Sequence, residues 1–124
     1  MIWSATGAAL MALGVAFGAF GAHALKDRLD AYSLDVYQKA VFYHFIHALG
    51  ILVVSALFRA GALTESACTA VCALLLTGIV LFSGSLYLLA LTGTRALGAV
   101  TPFGGVAFIA AWLLLAYRLL KASR

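Results

Sequence analysis

The residues of this chain best able to do chemistry are its three histidines. His44 and His47 stand three apart in the run Tyr-His-Phe-Ile-His, and His23 follows an alanine in Gly-Ala-His-Ala. A spacing of three places His44 and His47 on one face of a helix. Lys39, Tyr43 and His47 recur every four residues and form an adjacent stripe. Three chemistries fit imidazoles in that pattern. They can be hydrogen-bonded core groups. They can line a small polar cavity that binds a ligand or relays protons, since their pKa lies near neutrality. They can ligate a metal or a haem, but no cysteine or carboxylate completes a metal set, and a small helical unit offers no evident haem slot. No metal and no cofactor is therefore assigned, and no residue is assigned as catalytic.

The elements that must carry these groups are set by where charge is missing. No Asp, Glu, Lys or Arg occurs from Met1 to Leu25, between Lys39 and Arg59, between Glu65 and Arg95, or between Arg95 and Arg118. Each stretch is near the roughly 20 apolar residues that a helix needs to cross a hydrocarbon core. Of 124 residues, 65% are hydrophobic and 10% charged, with mean hydropathy +1.11. A soluble domain carries about 25% charged residues. The sequence predicts an all-α polytopic membrane protein, an antiparallel bundle of four transmembrane helices in one domain over residues 1–124. The expected spans are 2–25, 37–58, 65–92 and 102–120. Residues 26–36 are expected as a polar loop containing a short interfacial helix.

Local signals place the ends. Gly61 suits a helix C-terminus, Thr64 with Glu65 a start, and Thr101-Pro102 an N-cap followed by a first-turn proline. Ala22-His23-Ala24 has the form of a signal-peptide cleavage site. No basic residue precedes the apolar run, which is longer than an ordinary signal core, so the expectation is a retained first span. Short connections put both termini on one side, with four Lys or Arg at each end, and discounting Lys39 leans the termini toward the cytoplasm. The net charge of +4 is scattered, with no basic stripe, so nucleic acid is not an expected partner. The lipid bilayer is, and so is a homo-oligomer or a larger membrane complex. Cys68 and Cys72 read as small packing residues.

Antiparallel helices bring the polar groups together. His23 ends the first span where the second begins, His47 lies about 12 Å inside, Tyr87 about 9 Å, and Ser85 and Ser83 about 12–15 Å, at 1.5 Å per residue. The expected cluster is His23, Lys39, Tyr43, His44, His47, Ser83, Ser85 and Tyr87, either a polar pocket or a structural hydrogen-bond network. Gly7, Gly14, Gly18 and Gly21 fall near one face of the first span, and with Gly84, Gly104 and Gly105 they are candidate helix-packing positions. The first-span glycines fit either intramolecular packing or an interface between copies.

Nucleotide-binding, metalloprotease and hydrolase signatures are missing, and no carboxylate lies within a span to couple protons to transport. Four ordered motifs do resemble a known family: GAFGAHALK at 18–26, YHFIHALG at 43–50, GIVLFSGSLYLLALTG at 78–93 and VTPFGGVAFIAAWLLL at 100–115. They resemble the YgdD-like family, domain of unknown function 423. The resemblance implies a four-span protein of the bacterial inner membrane with no established activity. It matches the family's histidines at His23 and His47, and its variability at His44 argues against ligation there. The expected function is that of a non-enzymatic structural, accessory or self-associating membrane protein. The alternative is a small-molecule binding or transport protein with a polar pocket around His23 and His47.

Overall fold

The computed structural model describes residues 2–124. Among them there is no strand, and four helices are long and apolar enough to cross a membrane. They are α1 (Ile2–Leu25), α2 (Ala31–Arg59), α3 (Glu65–Thr92) and α4 (Thr101–Ala122), the last preceded by a 3₁₀ turn, Arg95–Ala99. Such helices satisfy every backbone group within the segment, which the bilayer interior demands.

The second helix starts earlier than the sequence suggests. Residues 31–36, expected in the polar loop, belong to α2. Asp30 caps it, its Oδ1 accepting from the Ser33 N–H at 2.7 Å. That bond and the Ser33 hydroxyl hold the Asp30 carboxyl below its usual range. One turn on, Asp35 and Lys39 pair at 2.9 Å across an i,i+4 step. Polar composition therefore reflects a capped, exposed first turn rather than a loop. At the other end Gly61 (φ +79°) closes α2, with the Ala62 N–H reaching the Leu57 carbonyl in a Schellman arrangement. Thr64 caps α3 by accepting from the Ala67 N–H. Thr101, expected as an N-cap, instead begins α4 and bonds to Ser85, while Pro102 occupies the first turn.

The α2–α3 pair is the inner one. In the most apolar window of each, 39% of residues are buried, against 17% in α1. α1 lies antiparallel on α2 along a seam where small residues meet large ones. Side chains grown on Gly7, Gly14 and Gly21 would overlap Leu52, Phe45 and Tyr37 respectively. The glycine face of α1 is thus filled by α2. A Cβ on Gly18 would make ordinary contact with Val41 at 3.6 Å.

Between α3 and α4 the fit is closer still. A turn of α3, Ile79–Ser83, is wound as a π-helix, with the Gly84 N–H reaching back to the Ile79 carbonyl. The extra residue brings the Phe82 backbone against Gly104, where a Cβ would strike the Phe82 amide nitrogen. Gly105 faces only the Phe82 ring at 3.8 Å. Gly84 does not match its expected packing role: a Cβ there would meet nothing nearer than its own helix's Ile79 carbonyl at 4.0 Å. Gly78, set against Phe108, and Gly50, set against Trp112, take close-approach roles that the sequence reading missed.

Gly104→Ala should therefore destabilise the bundle by roughly 1–3 kcal/mol through overpacking, read as a lower Tm in detergent, while Gly84→Ala should leave Tm unchanged. Equal losses at both positions would contradict this packing. Asp30→Ala should speed hydrogen exchange of the Ser33 amide. Because the folded carboxyl titrates below its usual value, the cap is present at neutral pH and its protection should be lost only as pH falls through that lowered value.

Candidate functional site

His44, His47, Ser83, Ser85 and Tyr87 gather toward the end of the bundle near the α1–α2 and α3–α4 connections, while buried Ser55 bonds Ser4 toward the other end, and the two histidines head separate groups on adjacent flanks of α2. On one flank His44, buried at 2% exposure, joins three helices. Its Nε2 lies 2.7 Å from the Leu10 carbonyl of α1, and its Nδ1 lies 2.9 Å from the Tyr87 hydroxyl of α3. A carbonyl only accepts, so Nε2 carries the proton, and a neutral ring then accepts the Tyr87 O–H at Nδ1. Phe17, Tyr37 and Tyr87 pack edge to face around it, with Phe17–Tyr87 centroids at 5.0 Å and Tyr37–Tyr87 at 5.3 Å. The Tyr37 hydroxyl donates to the Phe17 carbonyl.

On the other flank His47 faces α4. Its ring lies parallel on Phe108, with centroids 3.5 Å apart and planes 12° from parallel. Nδ1–H donates to the Tyr43 carbonyl one turn back at 2.8 Å. Trp112 and the half-exposed Tyr43 complete an aromatic surround. Ser83, fully buried, donates to the Ala40 carbonyl at 2.8 Å and so locks α3 to α2. Ser85 bonds Thr101 at 2.6 Å and so locks α3 to α4. No buried side-chain nitrogen or oxygen among the described residues lacks a partner.

Two expected members stand apart. His23 is exposed in the π-wound last turn of α1, Gly21–Leu25, and makes none of these bonds. Lys39 is exposed and paired with Asp35. Both sit near the polar edge of the bundle, where water and head groups solvate them better than the interior could. The expected pocket around His23 and His47 is not assembled: the two residues are not brought together, and the groups between them are engaged in packing or hydrogen bonds. A surface groove of about 360 Å³ does pass Tyr87, but it is apolar, lined by Phe17, Phe20, Tyr37, Gly84, Leu88 and Leu91. No group of three or more His, Cys, Asp or Glu able to hold a metal occurs among the described residues.

The sequence reading missed Tyr37, Phe108 and the Leu10 carbonyl. Tyr37 sits seven residues before His44, two turns up the same face, a signal that becomes legible once α2 is known to begin at Ala31. The thiols of Cys68 and Cys72 are free and buried, and they point at the Val54 and Ile51 carbonyls of α2 at 4.0 and 3.9 Å.

Comparison with known proteins gives a consistent placement. The family described as "Protein of unknown function (DUF423)" matches residues 17–105. A UPF0382 membrane protein of Staphylococcus saprophyticus is 49% identical over 107 residues, 86% of this chain and 85% of its own. The UPF0382 membrane protein YwdK of Bacillus subtilis is 46% identical over 114 residues, 91% of this chain and 89% of its own. No solved structure matches. The chain belongs to the DUF423 family of membrane proteins, as its four motifs suggested, and it is an integral membrane protein. Nothing in these relatives or in the site indicates an enzymatic activity.

His44→Phe should cost roughly 1–3 kcal/mol, because it strands the Tyr87 hydroxyl and removes the Leu10 partner. In a double-mutant cycle with Tyr87→Phe the two changes should couple by roughly 0.5–2 kcal/mol, measured by unfolding in mixed micelles. Simple additivity would mean the bond contributes nothing.

Proposed function

We propose that this chain is a non-enzymatic protein of the cell inner membrane that self-associates through the outer face of α1. The observation that carries the reading is an unbroken alanine stripe. Ala5, Ala9, Ala12, Ala16 and Ala19 recur at alternating steps of four and three residues, and all are exposed. At 100° per residue they centre nearly opposite the glycines that meet α2. No bulky residue interrupts them, although exposed positions elsewhere carry large side chains such as Val80, Ile109 and Leu113.

Small residues let helix backbones approach closely where lipid supplies no hydrophobic drive, so they are enriched where helices meet. α1 is also the least buried of the four helices. A second copy presenting the same stripe is the simplest partner, because a two-fold arrangement uses one surface twice. An accessory role in a larger complex would use the same face with a different helix. Helical rather than barrel spans support the inner-membrane reading, since outer-membrane proteins are typically closed β-barrels. The absence of catalysis is supported by the fate of the buried histidines and serines, which are engaged by backbone carbonyls and neighbouring hydroxyls and line none of the clefts described.

Cysteine cross-linking in native membranes tests this, in a background with Cys68 and Cys72 replaced by alanine. Ala12→Cys should give a covalent dimer and Ile109→Cys, on the exposed face of α4, should not. Ala12→Leu should reduce the dimer fraction several-fold. A monomer at every α1 position would overturn the proposal.

A further inference from the structure

The bundle end opposite the histidines has a different character. Its connection, residues 60–64, turns sharply at Gly61 and forms one wall of a cleft of about 270 Å³. The other wall is the last turns of α4, Arg118, Lys121 and Ala122, and Ala67 of the first turn of α3 also lines it. Lys121 fronts a second cleft, of about 240 Å³, with Tyr117, Leu120 and Arg124. Its Nζ lies 5.9 Å from the Tyr117 ring centroid.

Charge is unevenly shared between the two ends. This end holds Arg59, Arg118, Lys121 and Arg124 against one acid, Glu65, which does not line either cleft. The far end sets Lys26, Arg28, Lys39 and Arg95 against Asp27, Asp30 and Asp35, with Lys39 and Asp35 in direct contact. Among the described residues neither Arg118 nor Lys121 has a carboxylate partner. Helix C-termini attract cations in any case. Here, though, the cations face the first turn of α3 across a cleft. The Ala67 amide of that turn is already capped by the Thr64 hydroxyl, so the charge at the cleft comes from the two side chains. Two cationic side chains thus converge on one concavity that no acidic side chain lines.

The cleft lies where the spans end, at the depth of lipid head groups. We infer that it binds the phosphate of an anionic phospholipid. The Arg118 guanidinium offers a planar fork to two phosphate oxygens, and Lys121 adds a point charge. Lys121 also reaches the neighbouring cleft, so a head group with a second anionic oxygen cluster gains a further contact at Arg124. An inorganic phosphate has the same chemistry but lacks acyl chains to hold it at the bundle surface, so the site should prefer the lipid.

Native mass spectrometry of the full chain released from micelles tests this with phosphatidylglycerol, phosphatidylcholine and inorganic phosphate as probes. Phosphatidylglycerol should be retained at least ten-fold better than phosphatidylcholine. Arg118→Gln with Lys121→Gln should abolish that preference, while Arg28→Gln with Arg95→Gln at the far end should keep it. Equal retention of the two lipids by the unaltered chain, or an undiminished preference in the first double variant, overturns the inference. So does inorganic phosphate bound as well as phosphatidylglycerol, which would assign the cleft to the free ion. Should the double variant unfold, Lys121→Gln alone must still lower retention several-fold, and its failure to do so counts equally against the lipid site.

Discussion

The bilayer interior offers no water, and that constraint orders the rest of the structure. A buried imidazole there must find its partners in the protein, and His44 finds one on each of two neighbouring helices, the Leu10 carbonyl of α1 and the Tyr87 hydroxyl of α3. Because both ring nitrogens are used, the tautomer is fixed, and so are the rotation of α2 and its register against α1 and α3. Ser83 and Ser85 extend the same logic, one tying α3 to α2 and the other tying α3 to α4. In water each bond would be worth little against solvation. In lipid the alternative is an unsatisfied polar group, and this restricts which packings the chain can adopt.

Hydrogen bonds across helices require short interaxial distances, and here the glycines matter. The α1–α2 seam repeats one device: a glycine on α1 every seven residues receives a large side chain of α2. The seam fixes where Leu10 lies relative to His44, so packing and polar satisfaction specify the same register. Gly104 does the same for α4, letting the Phe82 backbone close in beside the Ser85–Thr101 bond. Agreement between independent local preferences is what makes one arrangement win over its neighbours.

Much of this was legible in the sequence because it depends on composition and period. Four charge-free runs, Thr64 before Glu65, Gly61 after Arg59 and the glycine face of the first span each have a single-residue physical cause, and each has a counterpart in the fold. The start of α2 was misread because polarity alone does not distinguish a loop from a capped, solvated first turn; the difference lies in one bond from Ser33 to Asp30. Thr101 was misread as a cap because its alternative partner, Ser85, lies on another helix and has no local signature. The π-wound turn at Ile79–Ser83 was likewise unreadable. It carries no proline or other local marker of its own, and it lies where Gly104 of α4 meets the Phe82 backbone.

The histidine pair carries the most general point. A spacing of three places two side chains about 60° apart around a helix axis. On a peripheral helix that angle keeps both in one interface. α2 is not peripheral: α1, α3 and α4 all pack on it, and 60° is enough to send His44 toward α1 and α3 and His47 toward α4. The same spacing therefore yields two separate groups, each closed by its own partners, in place of one shared site. With the interior polar groups engaged in this way, the surfaces proposed for other molecules lie outside them: the outer alanine face of α1 and the cleft at Arg118 and Lys121, at the end of the bundle opposite the histidines. Both proposals accordingly place function at the lipid-facing and head-group-facing exterior, while the histidines serve the packing of the interior.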